Sequence, residues 1–206
     1  MLGSAGESSP PATMIDFALE KYPTRYPLET GVQCLIRPLE SADQPAFLSF
    51  LAEVPEIERM FIKQRLDNPA LLQDWCGALD YDVRLPLLAL ADGKIIGLAT
   101  LEQRLGGWKR RIGMVHALTH PGYRGVGLAG MLIQEIVDVA RHCGLSYLQS
   151  EFNGERTVAI RSFAEAGFVE LIKLPDYVMD MQAKTHPYVL MSMTLSTSLE
   201  NTGAGD

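Results

Sequence analysis

In "LAGMLIQEIVDVARHCG" (residues 128–144), Leu128, Leu132, Ile136, Val139 and Cys143 recur at helical spacing, and Ile133, Val137 and Ala140 widen the stripe. A helix with so broad an apolar face must lie against a larger apolar surface, and Gly144 is placed to end it. Just before the stripe stands "RGVGLAG" (124–130), a literal G-x-G-x-x-G in Gly125, Gly127 and Gly130. About twenty residues on, Glu151 closes the apolar run "LSYLQSE", so spacing alone reads as a dinucleotide-binding crossover with its ribose-binding acid.

The surroundings supply the surface that the helix needs. "PLLALADGKIIGLATLEQ" is two β-rich runs around Asp92-Gly93, a pair that favours a tight hairpin turn. "KRRIGMVHALT" (109–119) reads as a further strand, and "VQCLIRPL" (32–39) as the first. "SADQPAFLSFLAEV" follows it as a helix with Ser41 and Asp43 as caps. Residues 56–79 read as one or two short helices broken near Asn68-Pro69. "LSYLQSEF" is a strand, "ERTVAIRSFAEAG" a short helix with Asn153 as cap, and "FVELIKL" and "PYVLMSMTL" are closing strands. There is no internal repeat. The expectation is one α/β (α+β) domain over residues 26–196, a mixed central sheet of about six to seven strands flanked by helices. Residues 1–25 read as a disordered or loosely packed leader and 197–206 as a disordered tail.

The dinucleotide reading then fails on detail. "HPGY" and Arg124 intervene between strand and first glycine, whereas such a crossover runs almost directly into it. Nothing like a second mononucleotide-binding half follows, and no Gly-Lys-Ser/Thr makes a Walker loop. What remains is the physics shared by all such loops: glycines admit a pyrophosphate, and the free amides of a helix start hold it. No Asp or Glu stands at this helix start to repel an anion.

The order of strand, "THPGYRGVGLA" (119–129) and long helix resembles the acyl-CoA site of the GNAT N-acetyltransferase superfamily. "AIRSFAEAGF" (159–168), "IRPLESAD" (36–43) and "VLMSMTL" (189–195) also sit where that family has its own segments, so the resemblance covers roughly residues 30–196. It implies acetyl-CoA as co-substrate, held by Arg124, Gly125, Val126, Gly127, Leu128 and Ala129 at the pyrophosphate. Leu118 and Thr119 would pair their backbones with the pantetheine arm, and Phe163 would lie beside the thioester.

The reaction implied is acyl transfer to a primary amine, of a small molecule or a protein, by direct attack in a ternary complex. A Lys-type amine has a pKa near 10.4, so a base or a desolvating pocket must help it lose a proton. Glu151 and His116 are candidate bases, with Glu102 a third. A backbone amide near Leu118 would serve the oxyanion. Phe163 stands where the family has the Tyr that protonates the departing thiolate, which leaves Tyr177 or Tyr188 to substitute. The missing Tyr also motivates a rival reading, a non-catalytic acyl-CoA-binding module of the same fold.

Cys34, Cys76 and Cys143, and the four histidines, show neither disulfide nor metal-ligand spacing, which fits a reducing cytoplasm and no metal. A formal charge of −7 argues against nucleic acid as a partner. No apolar run reaches the roughly 20 residues that span a bilayer, so no membrane is expected. A homodimer is compatible with this reading.

Overall fold

Asp92 and Gly93, at φ +49° and +75°, turn β3 (Arg84–Ala91) back into β4 (Lys94–Glu102), the hairpin that the sequence announces. The computed structural model describes residues 13–59, 76–180 and 182–195. Around the hairpin the strands β1 (Thr24–Pro27), β2 (Gln33–Pro38), β5 (Ile112–Thr119), β6 (Tyr147–Asn153), β7 (Val169–Met179) and β8 (Thr185–Thr194) complete an eight-stranded sheet in the order β1-β2-β3-β4-β5-β6-β8-β7. Neighbours are antiparallel except β5 and β6.

Helices cover both faces. On one face α1 (Met14–Leu19), α4 (Leu128–His142) and α5 (Thr157–Glu165) enclose the larger core, including Leu87, Leu101, Val115, Leu148 and Phe152 of the sheet. The apolar stripe of α4 is buried as its spacing requires, from Leu128 to Ala140. The helix ends in a Schellman turn: Gly144 at φ +70° donates to the Arg141 carbonyl and Leu145 to that of Ala140. On the opposite face α2 (Gln44–Glu53) lays Phe47, Phe50 and Leu51 on Leu88, Leu98 and Leu118. A short α3 (Glu56–Arg59) follows.

Several expectations need correction. The sheet has one strand more than the expected range, because Thr24–Pro27 pairs with β2. Residues 13–25 are therefore packed and not a loose leader: Thr13 caps α1, Ile15 and Ala18 are buried, and Tyr22 and Tyr26 each donate to Glu135 of α4 at 2.6 Å. The segment 32–39 is accordingly the second strand. Asp43 adjoins α2 but does not cap it with its side chain, because its carboxylate grips Arg37 at 2.6 and 2.7 Å. Asn153 does not cap α5 either; it accepts from the Glu155 amide at 2.9 Å in a turn. Residues 175–179, beyond the expected strand "FVELIKL", continue β7 across a bulge. The expected helices of 56–79 lie outside the described residues from 60 to 75, as do the expected leader up to 12 and the tail.

Candidate active site

The parallel pairing of β5 and β6 is short: it joins Ile112 to Tyr147, Gly113 to Leu148 and Met114 to Gln149. Beyond Met114, β5 stays paired with β4 as far as Thr119, and β6 pairs with β8 as far as Asn153. The two strands thus part in the middle of the sheet. The glycine loop and the start of α4 follow directly from β5 at this opening.

Gly127 takes φ +78° as the cap residue of α4, Gly125 takes +71°, and no side chain caps the helix. These conformations cost an L-residue about 1–2 kcal/mol but a glycine little. The first amides of α4 have no partner within the helix, and its first turn carries no acid. They open on a cleft of about 850 Å³ between the loop and α5. Ala117, Thr119, Arg124, Gly125, Gly127, Leu128 and Ala129 line one wall, and Arg156, Ala159 and Phe163 the other.

Three residues that sequence reasoning missed shape this cleft. Glu58 of α3 binds Arg124 at 2.8 Å and Arg156 at 3.3 Å, so one carboxylate ties both walls of the mouth together. Burial lowers the pKa of Arg156, and the Glu58 charge opposes that. Glu29 donates its amide to Val126 at 3.5 Å and brings a carboxylate oxygen to 3.0 Å from where a Gly127 Cβ would stand. No local pattern marks these contacts, because each spans tens of residues.

The predicted residues divide between the two faces of the sheet. Phe163 is buried against Phe152 and Phe168, ring centroids 5.0 Å away, on the α4 and α5 face. Leu118 points the other way, into the α2 cluster, and only its backbone borders the opening. By the same alternation His116, opposite Thr100, shares the Leu118 face. Glu151 lies on that face too, because its neighbours Ser150 and Phe152 are buried toward the other. Tyr188 lies beside Glu151: burial, then the carboxylate charge, pushes its pKa up to about 12. Its ring meets Tyr177 at 5.6 Å, and Tyr177 is 65% exposed. Glu151, Tyr177 and Tyr188 therefore form a cluster, on the opposite side of the sheet from Phe163. Glu102 is removed from consideration. It pairs with Met114, five residues or about 17 Å of strand from the Thr119 end, and binds Arg84 at 3.4 Å.

Among the described residues no group of His, Cys, Asp and Glu could hold a metal ion, and no helix is long and apolar enough to cross a membrane. Known proteins share the fold. The acetyltransferase (GNAT) family profile matches residues 48–168. Streptothricin acetyltransferase of Streptomyces lavendulae is 28% identical over 96 residues, 47% of this chain and 50% of that protein, so the match spans half the length of that relative. The structure of yncA from Salmonella typhimurium with its cofactor acetyl-CoA has a TM-score of 0.67 at 19% identity, covering 84% of this chain and 98% of that one. The ribosomal-protein-alanine N-acetyltransferase from Brucella melitensis also has a TM-score of 0.67, at 20% identity over 78% of this chain and 99% of that one. With its splayed strands, open helix start and a family match across more than half its length, the chain belongs to the acetyltransferase (GNAT) family.

Proposed function

We infer that this protein is an N-acetyltransferase that moves an acetyl group from acetyl-CoA to a primary amine by direct attack in a ternary complex. The observation that carries this reading is the uncapped start of α4, opening on a cleft beside a β5 edge that has lost its β6 neighbour. The residues fit the co-substrate. Left-handed Gly125 and Gly127 keep side chains away from a pyrophosphate, and the helix dipole favours an anion there. β5 offers backbone groups to an extended pantetheine arm, as a neighbouring strand would. The acetyl-CoA of yncA and the amine chemistry named for the Brucella protein support the same assignment.

When bound, acetyl-CoA supplies an acyl group activated as a thioester. The chain supplies position and proton movement. In this reading the gap between β5 and β6 connects the cleft with the sheet face of His116, Glu151, Tyr177 and Tyr188, and the short β5–β6 pairing supports it. Glu151 or His116 takes a proton from the amine there. Tyr188, on the same face as Glu151 and with its ring against Tyr177, is the better-placed phenol to return one, with Tyr177 at its outer rim. Cys34, Cys76 and Cys143 carry free thiols, which supports work in a reducing cytoplasm.

The test is a thermal shift followed by turnover. Acetyl-CoA at about 100 times its dissociation constant adds roughly 2.7 kcal/mol of stability, and NAD adds none. CoA should then be released with at least one member of a panel of primary amines. No shift at millimolar acetyl-CoA overturns the co-substrate. A shift without CoA release from any amine turns the reading to an acyl-CoA-binding module.

A further inference from the structure

Among the described residues, strand β7 ends the sheet and pairs on one side only, with β8. Its outer edge therefore presents backbone N–H and C=O groups without a neighbouring strand, the ordinary hazard of an edge. Its side chains do little to guard it. Val169, Leu171 and Ile172 are 62%, 53% and 43% exposed, and Glu170 and Lys173 between and beside them are exposed too.

The register shows how these residues are arranged. Val169 pairs with Ser192, Glu170 with Met191, Ile172 with Leu190, Lys173 with Val189 and Leu174 with Tyr188, while Leu171 is left over in a bulge. Val189 and Met191 face the core under α4 and α5, so Glu170 and Lys173 stand on that face of β7. Val169, Ile172 and Leu174 stand on the other. The acid and the base lie one register position either side of Ile172, and Val169 and Leu174 lie two positions either side.

We propose that β7 joins a second copy of this chain edge to edge, antiparallel, about a two-fold axis perpendicular to the sheet and midway between Ile172 and its copy. The pattern is complementary to itself. Across that axis Ile172 meets its own copy, Val169 meets Leu174, and Glu170 meets Lys173, each of the last two pairs occurring twice. Such a contact is isologous and closes on itself, so it ends at a dimer. Lys173 alone would repel an added strand; opposite the Glu170 of a copy it is neutralised. Pro175, which has no N–H to give, and the second bulge between Leu174 and Val178 confine the pairing to residues 169–174.

Sedimentation velocity across the micromolar range tests this without reference to catalysis. The wild type is expected to be a dimer. Glu170→Lys sets two lysines against each other at both ends of the contact and should weaken it at least tenfold. Adding Lys173→Glu in the same chain should restore it. Ile172→Cys should give a covalent dimer under mild oxidation, because residues paired on the axis meet the disulfide requirement of about 4.4–6.8 Å between Cα atoms. Val169→Cys should not, its copy being about 14 Å away along the strands. The wild type, with Cys34 and Cys76 buried, gives the background. A monomeric wild type overturns the proposal. So does a dimer indifferent to Glu170→Lys, or one lost there and not regained by the charge swap.

Discussion

Gly127 answers to two constraints, its left-handed backbone and the Glu29 carboxylate, whose oxygen would stand 3.0 Å from an added Cβ. Gly127→Val therefore strains the loop and pushes the turn between β1 and β2. It should lower stability by about 1–3 kcal/mol and remove the thermal response to acetyl-CoA. Glu29→Gln isolates the electrostatic part: it strains nothing and takes a negative charge away from an anion site. Acetyl-CoA should bind about 3–10-fold more tightly to it, a partly screened interaction near the surface. Calorimetric titration of both variants checks this, and wild-type affinity in folded Gly127→Val would remove the loop from the site. The phenols set a second test. Tyr188→Phe should reduce kcat by about 10²-fold with little change in the KM for acetyl-CoA, as loss of a group acting mainly in the transition state does. Tyr177→Phe should act chiefly on the acceptor KM. Phe163→Tyr should leave the Tyr188→Phe defect unrepaired, because Phe163 packs on the opposite side of the sheet. Phe163 could be singled out from a local motif. The meeting of Glu151 with Tyr188 could not, because the pairing of β6 with β8 decides it.

The element least legible from sequence was the first. α1 and β1 are too short to announce themselves by periodicity, and what orders them is Glu135, a buried acid inside the apolar face of α4. Lys21 at 2.7 Å joins Tyr22 and Tyr26 on that carboxylate. Burial alone would raise the Glu135 pKa; the three donors overturn that and leave it lowered. Glu135→Ala removes two phenol hydrogen bonds and the Lys21 ion pair from a buried acceptor and should destabilise by about 2–4 kcal/mol, measured by denaturant titration. Long elements such as α4 were readable because their own side chains fix their burial. The far end of the β7–β8 hairpin is held in a comparable way, and there pH provides the test. His186 is buried between Asp180 at 2.8 Å and Glu155 at 3.1 Å, and Asp180 first and Glu155 second raise its pKa. Asp180 is lowered, chiefly by His186. A raised histidine stabilises fully below its unfolded pKa of about 6.5 and loses this as pH climbs through the folded value. A lowered Asp contributes above its unfolded value of about 3.9 and fails as pH falls through the folded one. The clasp is thus complete between about pH 4 and 6.5. Melting temperature should decline above that window more steeply in wild type than in His186→Gln; equal slopes would remove the ion pair from the account.

At the scale of the whole molecule, two interior strands of the sheet, β5 and β6, part after Met114. Glycine chemistry and helix periodicity pointed to the loop beside that gap, but the gap itself is a matter of register and no run of residues encodes it. It makes a prediction that the loop alone does not. Among the described residues β5 pairs with β6 from Ile112 to Met114 and with β4 from Met114 to Thr119, so Met114 has neighbours on both sides and Val115 to Thr119 are paired on the β4 side. Because His120 donates its amide to Ile96 of β4, strand alternation turns the amides of Val115, Ala117 and Thr119 to the opening, where an amide without a strand partner exchanges its hydrogen readily. Met114, paired on both sides, should be strongly protected in hydrogen–deuterium exchange whether or not ligand is present. Residues 115–119 should show a fast-exchanging fraction in the free protein, and acetyl-CoA should slow it by laying an extended chain along β5. The α4 start should slow with it, since a pyrophosphate would occupy amides that the helix leaves free. CoA should protect both regions, whereas pantetheine, lacking the pyrophosphate, should protect the strand far more than the helix start. Protection at the helix start alone would mean that the ligand does not run along β5, and the amine would then have no route to the thioester through the opening between the strands.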